Sequence, residues 1–203
     1  NHLVKALVFE LSKCETPAIR SRMVSHLLNI DEQLAKEVGG GLGLKELPKP
    51  ADAARPTKNL KPSPALSIHL NGPKSFKGRK VGALLSDGVD IKLFHALKSA
   101  LDSEGALLEI VAPKVGGVEA SDGSWIEAKQ AIEGGPSILY DAVALMISEQ
   151  GAKLLMAEPA ARDFVADAFA HMKFIGHTPA ATAWFEKAGI GEKRDEGFIA
   201  LNN

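Results

Sequence analysis

The stretch "KVGALLSDGVDIKLFHALKSALDSEGALLEIVA", residues 80–112, decides the fold. Residues 80–86 form an apolar run of buried-strand length, and residues 106–112 form a second one. Between them, Leu93, Leu97 and Leu101 recur at the spacing of a helix. Two buried strands joined by a helix predict a β-α-β unit with parallel strands.

The same alternation continues toward the C-terminus. Strands are predicted over 140–148, 173–176 and 196–201, and helices over 160–172 and 178–189. The first helix is introduced by Pro159 and places Phe164, Ala168 and Met172 on one side. The second has Thr178 as its cap, Pro179 next and Gly189 as its terminator; residues 121–124, "SDGS", are a hairpin signal. The fold class is therefore α/β, a doubly wound parallel sheet over residues 80–203.

Residues 1–44 predict three short helices, and residues 45–79 a linker. Thr16 is a candidate N-cap before Pro17, Asp31 begins the third helix, and Gly39 to Gly41 are expected to stop it. The apolar positions at helical spacing are Leu3, Leu7, Leu11, Ile19, Met23, Leu27, Leu34 and Val38. Such a small helical segment buries too little to stand alone, so its apolar faces imply a partner. The linker holds six of the eleven prolines and should be extended.

Composition excludes several function classes. No apolar run reaches the roughly 18 to 20 residues that span a bilayer, so no membrane partner is expected. The first residues lack the pattern of a secretory signal, which favours a cytoplasmic location, although a secreted parent is compatible with the same sequence. Residues 45–80 carry nine basic and two acidic residues, or +7, but their only aromatic residue is Phe76, so no nucleic-acid partner is expected. The single cysteine, Cys14, excludes an internal disulfide.

Functional sites of doubly wound sheets lie at the carboxyl ends of the strands, here "SDGVD", "SEQG" and "GHTP". The first has two aspartates beside one glycine, which would repel a phosphate, and no glycine-rich nucleotide motif occurs. The histidines, at positions 2, 26, 69, 95, 171 and 177, are scattered, so no metal site is predicted.

The stretch "FIGHTPAATAWFEKAGI", residues 174–190, resembles the nucleophile elbow of the class I glutamine amidotransferase-like superfamily, in its intracellular-protease-like branch. Where that family has cysteine, this chain has Gly176, and Thr178 replaces a glycine; His177 and Pro179 match. The family also places an acid after its first strand, where Asp87 and Asp90 stand. The resemblance implies no catalytic residue and a vestigial pocket of Gly176, His177, Thr178, Asp87 and Asp90.

Two alternatives stay open at this pocket. His177 is a candidate base for residual hydrolysis, and the space left by the missing cysteine is a candidate site for a small anion.

The string "ETPAIRSRMVSHLLNIDEQLAKEV" within residues 1–44 resembles the last helical stretch of large-subunit haem catalases. In that family the helices lead through a long linker into a flavodoxin-like domain, the order predicted here. The resemblance implies a parent that disproportionates hydrogen peroxide at a haem, with its haem-binding residues outside this chain and no cofactor within it. It also implies as partners the haem domain and the other subunits of a homotetramer. A further expectation is that exposed helix faces bind unfolding client proteins, as a chaperone does.

Overall fold

The computed structural model describes residues 2–58 and 60–202, without the side chains of residues 68 and 69. The side chain of His69 therefore lies outside the described part. The chain separates into two compact units, residues 1–72 and residues 73–203. The domain boundaries drawn from the sequence stay predictions.

The first unit begins with three helices: α1 (His2–Ser12), α2 (Pro17–Leu27) and α3 (Glu32–Gly41). Its fully buried apolar residues are Val24, Leu27, Ala35 and Val38. The Asp31 carboxylate caps α3 by accepting a hydrogen bond from the Leu34 N–H at 2.7 Å. Thr16 stands at the N-cap position of α2, but its side chain makes no capping hydrogen bond. Leu3 and Ile19, predicted for the apolar faces, are exposed.

The helix α3 runs through Gly39 and Gly40 and ends at Gly41, the last of the three glycines that were expected to stop it. A Cβ at Gly41 would lie 2.6 Å from a side-chain carbon of Val8. Glycine is therefore needed here for close packing of α1 against α3, and this packing outweighs its low helix propensity.

The predicted linker is partly ordered against this unit. The Ala51 N–H donates to the Ser25 carbonyl at 3.0 Å, and the Asn29 amide donates to the Ala51 carbonyl at 2.7 Å. A 3-10 helix (Pro64–Leu66) and a short helix, α4 (Ile68–Asn71), follow. Thus the linker contains two short turns of helix that the prolines did not predict.

The second unit is built on a parallel sheet of six strands among the described residues. The strands are β1 (Lys80–Leu85), β2 (Leu107–Ala112), β5 (Gln130–Ala131), β6 (Ala142–Met146), β7 (Phe174–His177) and β8 (Phe198–Ala200). They lie in the order β5-β2-β1-β6-β7-β8, which without the edge strand β5 is that of a flavodoxin-like sheet. The predicted hairpin is confirmed as an antiparallel ribbon of β3 (Val118–Glu119) and β4 (Trp125–Ile126). The predicted fold class is confirmed.

Helices cover both faces of this sheet. They are α5 (Ile91–Ser103), α6 (Glu149–Leu155), α7 (Pro159–Ala170) and α8 (Thr182–Lys187), with 3-10 turns at Ser137–Leu139, Pro179–Ala181 and Gly191–Lys193. Leu84 packs with Phe164 and Trp184 of α7 and α8 on one face. Its neighbours Ala83 and Leu85 join a separate core with Phe94 of α5 on the other. Successive strand residues point to opposite faces, so both faces of the sheet are buried.

Three local predictions fail in this unit. Residues 178–189 do not form one helix, because a 3-10 turn precedes α8. Met172 lies beyond the end of α7 with a φ of 54° and is exposed, instead of sharing the buried face of Phe164. The "SEQG" stretch, predicted as a loop, begins α6. Gly189 does terminate α8 as predicted, with a φ of 71°.

Candidate functional site

The carboxyl ends of β1, β6 and β7 meet at one edge of the sheet, where Ser86, Ser148 and Thr178 follow the three strands. The β1 and β6 ends are adjacent, and the chain continues from them into α5 and α6. Because α5 and α6 contribute to cores on opposite faces of the sheet, this edge is its topological switch point. Ligands of such folds bind here, so the polar groups at this edge decide what the domain can do.

Two serines connect the β1 and β6 ends. The Ser148 N–H donates to the Ser86 hydroxyl oxygen at 3.0 Å, and the Ser148 hydroxyl donates to the Asp87 carbonyl at 2.6 Å. The same Ser148 oxygen accepts from the Gly151 N–H at 3.0 Å and caps α6. A Cβ at Gly151 would lie 1.9 Å from the Ser86 hydroxyl oxygen, so glycine is needed for this approach. Both hydroxyls are therefore engaged in holding α6 onto the sheet.

Thr178 connects the β6 and β7 ends. Its hydroxyl donates to the Ile147 carbonyl at 2.8 Å and accepts from the Ile147 N–H at 3.3 Å. Thr178 stands at the predicted N-cap position, before the 3-10 turn, but its side chain makes no capping hydrogen bond. The hydroxyl ties two strand ends together.

The two aspartates also have structural partners. The Asp87 carboxylate accepts from the Glu119 N–H at 2.9 Å, which fixes the β3–β4 ribbon to the end of β1. The Asp90 carboxylate caps α5 by accepting from the Lys92 and Leu93 N–H groups at 2.8 and 3.0 Å. Neither hydrogen-bonds to His177 in the described part of the chain.

Gly176 does not lie at a turn. It is the third residue of β7 and pairs with Ala144 on one side and Ile199 on the other. The φ angle of Gly176 is not positive, so the backbone lacks the strained bend of a nucleophile elbow. A Cβ at Gly176 would meet three side-chain carbons of Leu201 at 3.2 to 3.4 Å. The expectation that the missing cysteine leaves open space is therefore wrong, because Leu201 fills it.

His177 is the last residue of β7 and is buried. Its ring packs edge-on against Phe185 at 5.0 Å between centroids, and its Nδ1 lies 3.2 Å from the Thr178 carbonyl oxygen. Burial lowers the pKa of His177 below its ordinary value, and the charge of Arg194 acts in the same direction. His177 is consequently a neutral side chain of the core edge at pH 7.

Two clefts open at this edge. The elbow cleft, about 380 Å³, is lined by Asp90, Leu93, Thr178, Pro179, Leu201 and neighbouring residues. The switch-point cleft, about 850 Å³, is lined by Ser86, Asp87, Lys114, Val118, Ile132, Glu133, Ser148, residues 149–151 and 153–155, Glu158 and neighbouring residues. The structure thus separates the five predicted pocket residues: Asp90 and Thr178 line the first cleft, Asp87 lines the second, and Gly176 and His177 line neither. That any of the five binds a ligand stays a prediction.

Neither serine at this edge has a base beside it in the described part of the chain. The Ser86 and Ser148 hydroxyl oxygens lie 3.4 Å apart, and neither has a histidine within hydrogen-bond distance among the described residues. Nucleophilic catalysis by serine requires such a neighbour. The sequence analysis did not identify Ser86, Ser148 and Gly151 as residues of this site. The run S-E-Q-G after a buried strand does contain a serine in N-cap position, which could have predicted the start of a helix.

Among the described residues, no group of three or more His, Cys, Asp or Glu side chains is placed to hold a metal ion. Within the same residues, no helix combines the length and the apolar character needed to cross a membrane.

Comparison with known proteins identifies the family. Residues 77–203 match the model described as the C-terminal domain found in long catalases, and residues 1–42 match the one described as catalase-related immune-responsive. The chain is 57% identical over 203 residues to catalase C of Rhizobium meliloti, covering 100% of this chain and 29% of that protein. It is 34% identical over 204 residues to catalase HPII of Mycobacterium avium, covering 100% and 28%. With catalase-B of Dictyostelium discoideum the identity is 35% over 179 residues, covering 86% and 25%.

The second unit is thus a flavodoxin-like domain whose strand-end hydroxyls hold the fold together. The chain belongs to the family of the C-terminal domain found in long catalases. This confirms the resemblance drawn from the sequence. The chain spans less than a third of the length of these relatives.

Proposed function

We propose that this chain is the non-catalytic C-terminal region of a long haem catalase, whose complete form disproportionates hydrogen peroxide to water and oxygen. The observation that carries the proposal is the position of Gly176, inside a strand and covered by Leu201. The superfamily that residues 174–190 resemble places a nucleophile at this position; here the side chain is absent and Leu201 packs over the glycine. The domain then contributes through packing and stability.

The tyrosine of this chain does not fit the role of a haem ligand. Tyr140 is the only tyrosine, is 3% exposed, and donates its hydroxyl hydrogen bond to Glu109 at 3.0 Å. Burial and the bond to Glu109 raise the pKa of Tyr140, so it stays protonated. A tyrosine bound to haem iron is a phenolate, and Tyr140 is therefore unsuited to that role. Haem binding in the complete protein belongs to residues outside this chain.

The helical unit supports a role in assembly. Leu3 and Phe9 of α1 are 57% and 62% exposed, and Ile30 after α2 is 74% exposed. No residue of α1 is buried. Apolar helix surface of this kind is typical of a protein interface. We infer that it packs against the haem domain or other subunits of a homotetramer, and that the region contributes to stability or to the path of peroxide.

The stabilising role is tested in the complete catalase with Gly151→Ala, which disturbs the α6 contact, and Gly134→Ala as a control. A Cβ at Gly134 meets its nearest atoms at 3.6 and 3.7 Å, which is ordinary contact. We expect both variants to release oxygen from peroxide at 25 °C at the wild-type rate per haem, and only Gly151→Ala to lose activity faster on heating. A lowered rate per haem in an intact Gly151→Ala tetramer would show that the domain takes part in catalysis.

The chaperone-like role rests on the same exposed helix surface, and it is tested separately. A client protein is heated with the chain and with a variant in which Leu3 and Phe9 are replaced by Ser. Lower light scattering with the wild-type chain than with the variant is expected. Equal scattering with and without the wild-type chain would remove this role. A cytoplasmic location of the complete protein stays a prediction.

A further inference from the structure

The switch-point cleft has the size and position of a small-molecule site. Its volume of about 850 Å³ lies within the roughly 300 to 1,000 Å³ of typical ligand pockets. It opens at the carboxyl edge of the sheet, where doubly wound folds bind ligands. Ser86 and Ser148 line it with hydroxyls that are engaged in structural hydrogen bonds, so the cleft is suited to binding and not to nucleophilic chemistry.

The interior of the cleft is apolar. Val118, Ile132 and Leu155 line it and are each no more than 3% exposed. Leu154 also lines it and is 68% exposed. Because Val118, Ile132 and Leu155 are almost fully covered by the protein, the apolar surface open to a ligand is that of the exposed lining residues Pro113, Leu154 and Ala157.

Charged side chains of both signs surround this apolar surface. They are Lys114 and Lys153 together with Glu133, Glu149 and Glu158. None of these five forms an ion pair within 4.0 Å in the part of the chain that the structure describes. Asp87 also lines the cleft, but one of its carboxylate oxygens is already hydrogen-bonded to the Glu119 N–H.

An apolar lining surrounded by charges of both signs favours one class of ligand. A simple anion would meet the lysines but also three glutamates, and a simple cation would meet the glutamates but also two lysines. A molecule carrying one ammonium and one carboxylate on an apolar body can satisfy both signs while covering Leu154. We propose that the switch-point cleft binds small apolar zwitterions, the class that includes short peptides of aliphatic amino acids.

The probe is the dipeptide L-leucyl-L-leucine, titrated into the 203-residue chain and followed by calorimetry. Two derivatives of the dipeptide each lack one of its charges: N-acetyl-leucyl-leucine lacks the ammonium, and leucyl-leucinamide lacks the carboxylate. We expect the dipeptide to bind about three- to tenfold more tightly than either derivative. This is the change in affinity that the loss of one partly exposed ion pair produces. Equal affinity for all three, or no heat of binding at millimolar concentrations, would overturn the proposal.

Variants then place the binding in the cleft. Leu154→Trp fills the cleft from an exposed position and should abolish binding. Lys114→Gln combined with Lys153→Gln should weaken the dipeptide about three- to tenfold and leave leucyl-leucinamide unchanged. Lys187→Gln, on α8 and away from the cleft, is the matched control. Melting temperatures confirm that each variant is folded; unchanged dipeptide binding to folded Leu154→Trp would move the site elsewhere and refute the assignment.

Discussion

Restoring a cysteine at position 176 should not restore a reactive thiol. The test variant is Gly176→Cys in a Cys14→Ser background, so that the chain has one cysteine. Its Cβ would lie 3.2 to 3.4 Å from Leu201 carbons, so Leu201 must move by a few tenths of an ångström. Leu201 is only half-buried, near the C-terminus, so the cost in unfolding free energy should be about 1 kcal/mol.

The surroundings of this thiol would not lower its pKa. A low thiol pKa needs a cation or a helix N-terminus close by. His177 is neutral at pH 7, because burial lowers its pKa. The guanidinium of Arg194 lies over Phe185, which belongs to the core on the face of the sheet opposite to Leu201 and the Cβ position of residue 176. The helix α8 begins only at Thr182. A thiol with the ordinary pKa of about 8.5 is roughly 3% thiolate at pH 7, whereas an activated thiol with a pKa near 6 is about 90% thiolate. The thiolate fraction at pH 7 is thus roughly 30-fold below that of an activated cysteine.

Alkylation by iodoacetamide, followed by mass spectrometry from pH 5 to 9, measures the pKa of the thiol and its rate of reaction. We expect an inflection at or above pH 8 and a slow rate throughout. Adding Leu201→Ala should raise the rate by exposing the sulfur without moving the inflection. An inflection below about pH 6.5 would refute the reasoning, since it would show that the elbow electrostatics persist and that only the sulfur is missing.

Two further predictions concern stability. Gly151→Ala should lower the unfolding free energy by about 2 kcal/mol, because its Cβ would lie 1.9 Å from the Ser86 hydroxyl oxygen. Urea unfolding of the single and double variants should show that Ser86→Gly recovers at least half of this loss, and additive losses would contradict the contact. For His177, the lowered folded-state pKa means that the unfolded chain takes up the proton first, so stability present above pH 6.5 is lost as the pH falls. Unfolding at pH 7.0 and 5.5 should therefore show a smaller loss for His177→Gln than for the wild type; equal losses would assign the pH dependence to other groups.

The main strands and the two-sided burial of the sheet could be predicted from sequence because β1 and β6 read as apolar runs. The arrangement of polar side chains at the carboxyl edge of the sheet could not be predicted from sequence. The seven-residue helix α6 is too short to show a helical period, so its first residues resembled a loop. The role of Gly151 depends on Ser86, which is 65 positions away in the chain and becomes a neighbour only in the folded domain.

Gly176 was misplaced for a different physical reason. Glycine before a proline-containing turn usually marks the bend itself, and the resemblance to an elbow reinforced that interpretation. In the structure the same glycine is needed because Leu201 crosses its face, a contact between residues 25 positions apart. Glycine at a turn and glycine beneath a neighbouring side chain cannot be told apart from one sequence.

The loss of cysteine is not the only difference between the end of β7 and a nucleophile elbow. Because β7 continues to His177, it pairs with β8 through His177 and Ala200, and the Leu201 N–H donates to the His177 carbonyl at 2.8 Å. The Thr178 N–H donates to the Leu145 carbonyl at 2.9 Å on the other side. A strained elbow at position 176 would break this pairing on both sides, each lost hydrogen bond costing about 1 kcal/mol. Recovering a nucleophile would therefore require cysteine, release of the β8 end and removal of Leu201 together.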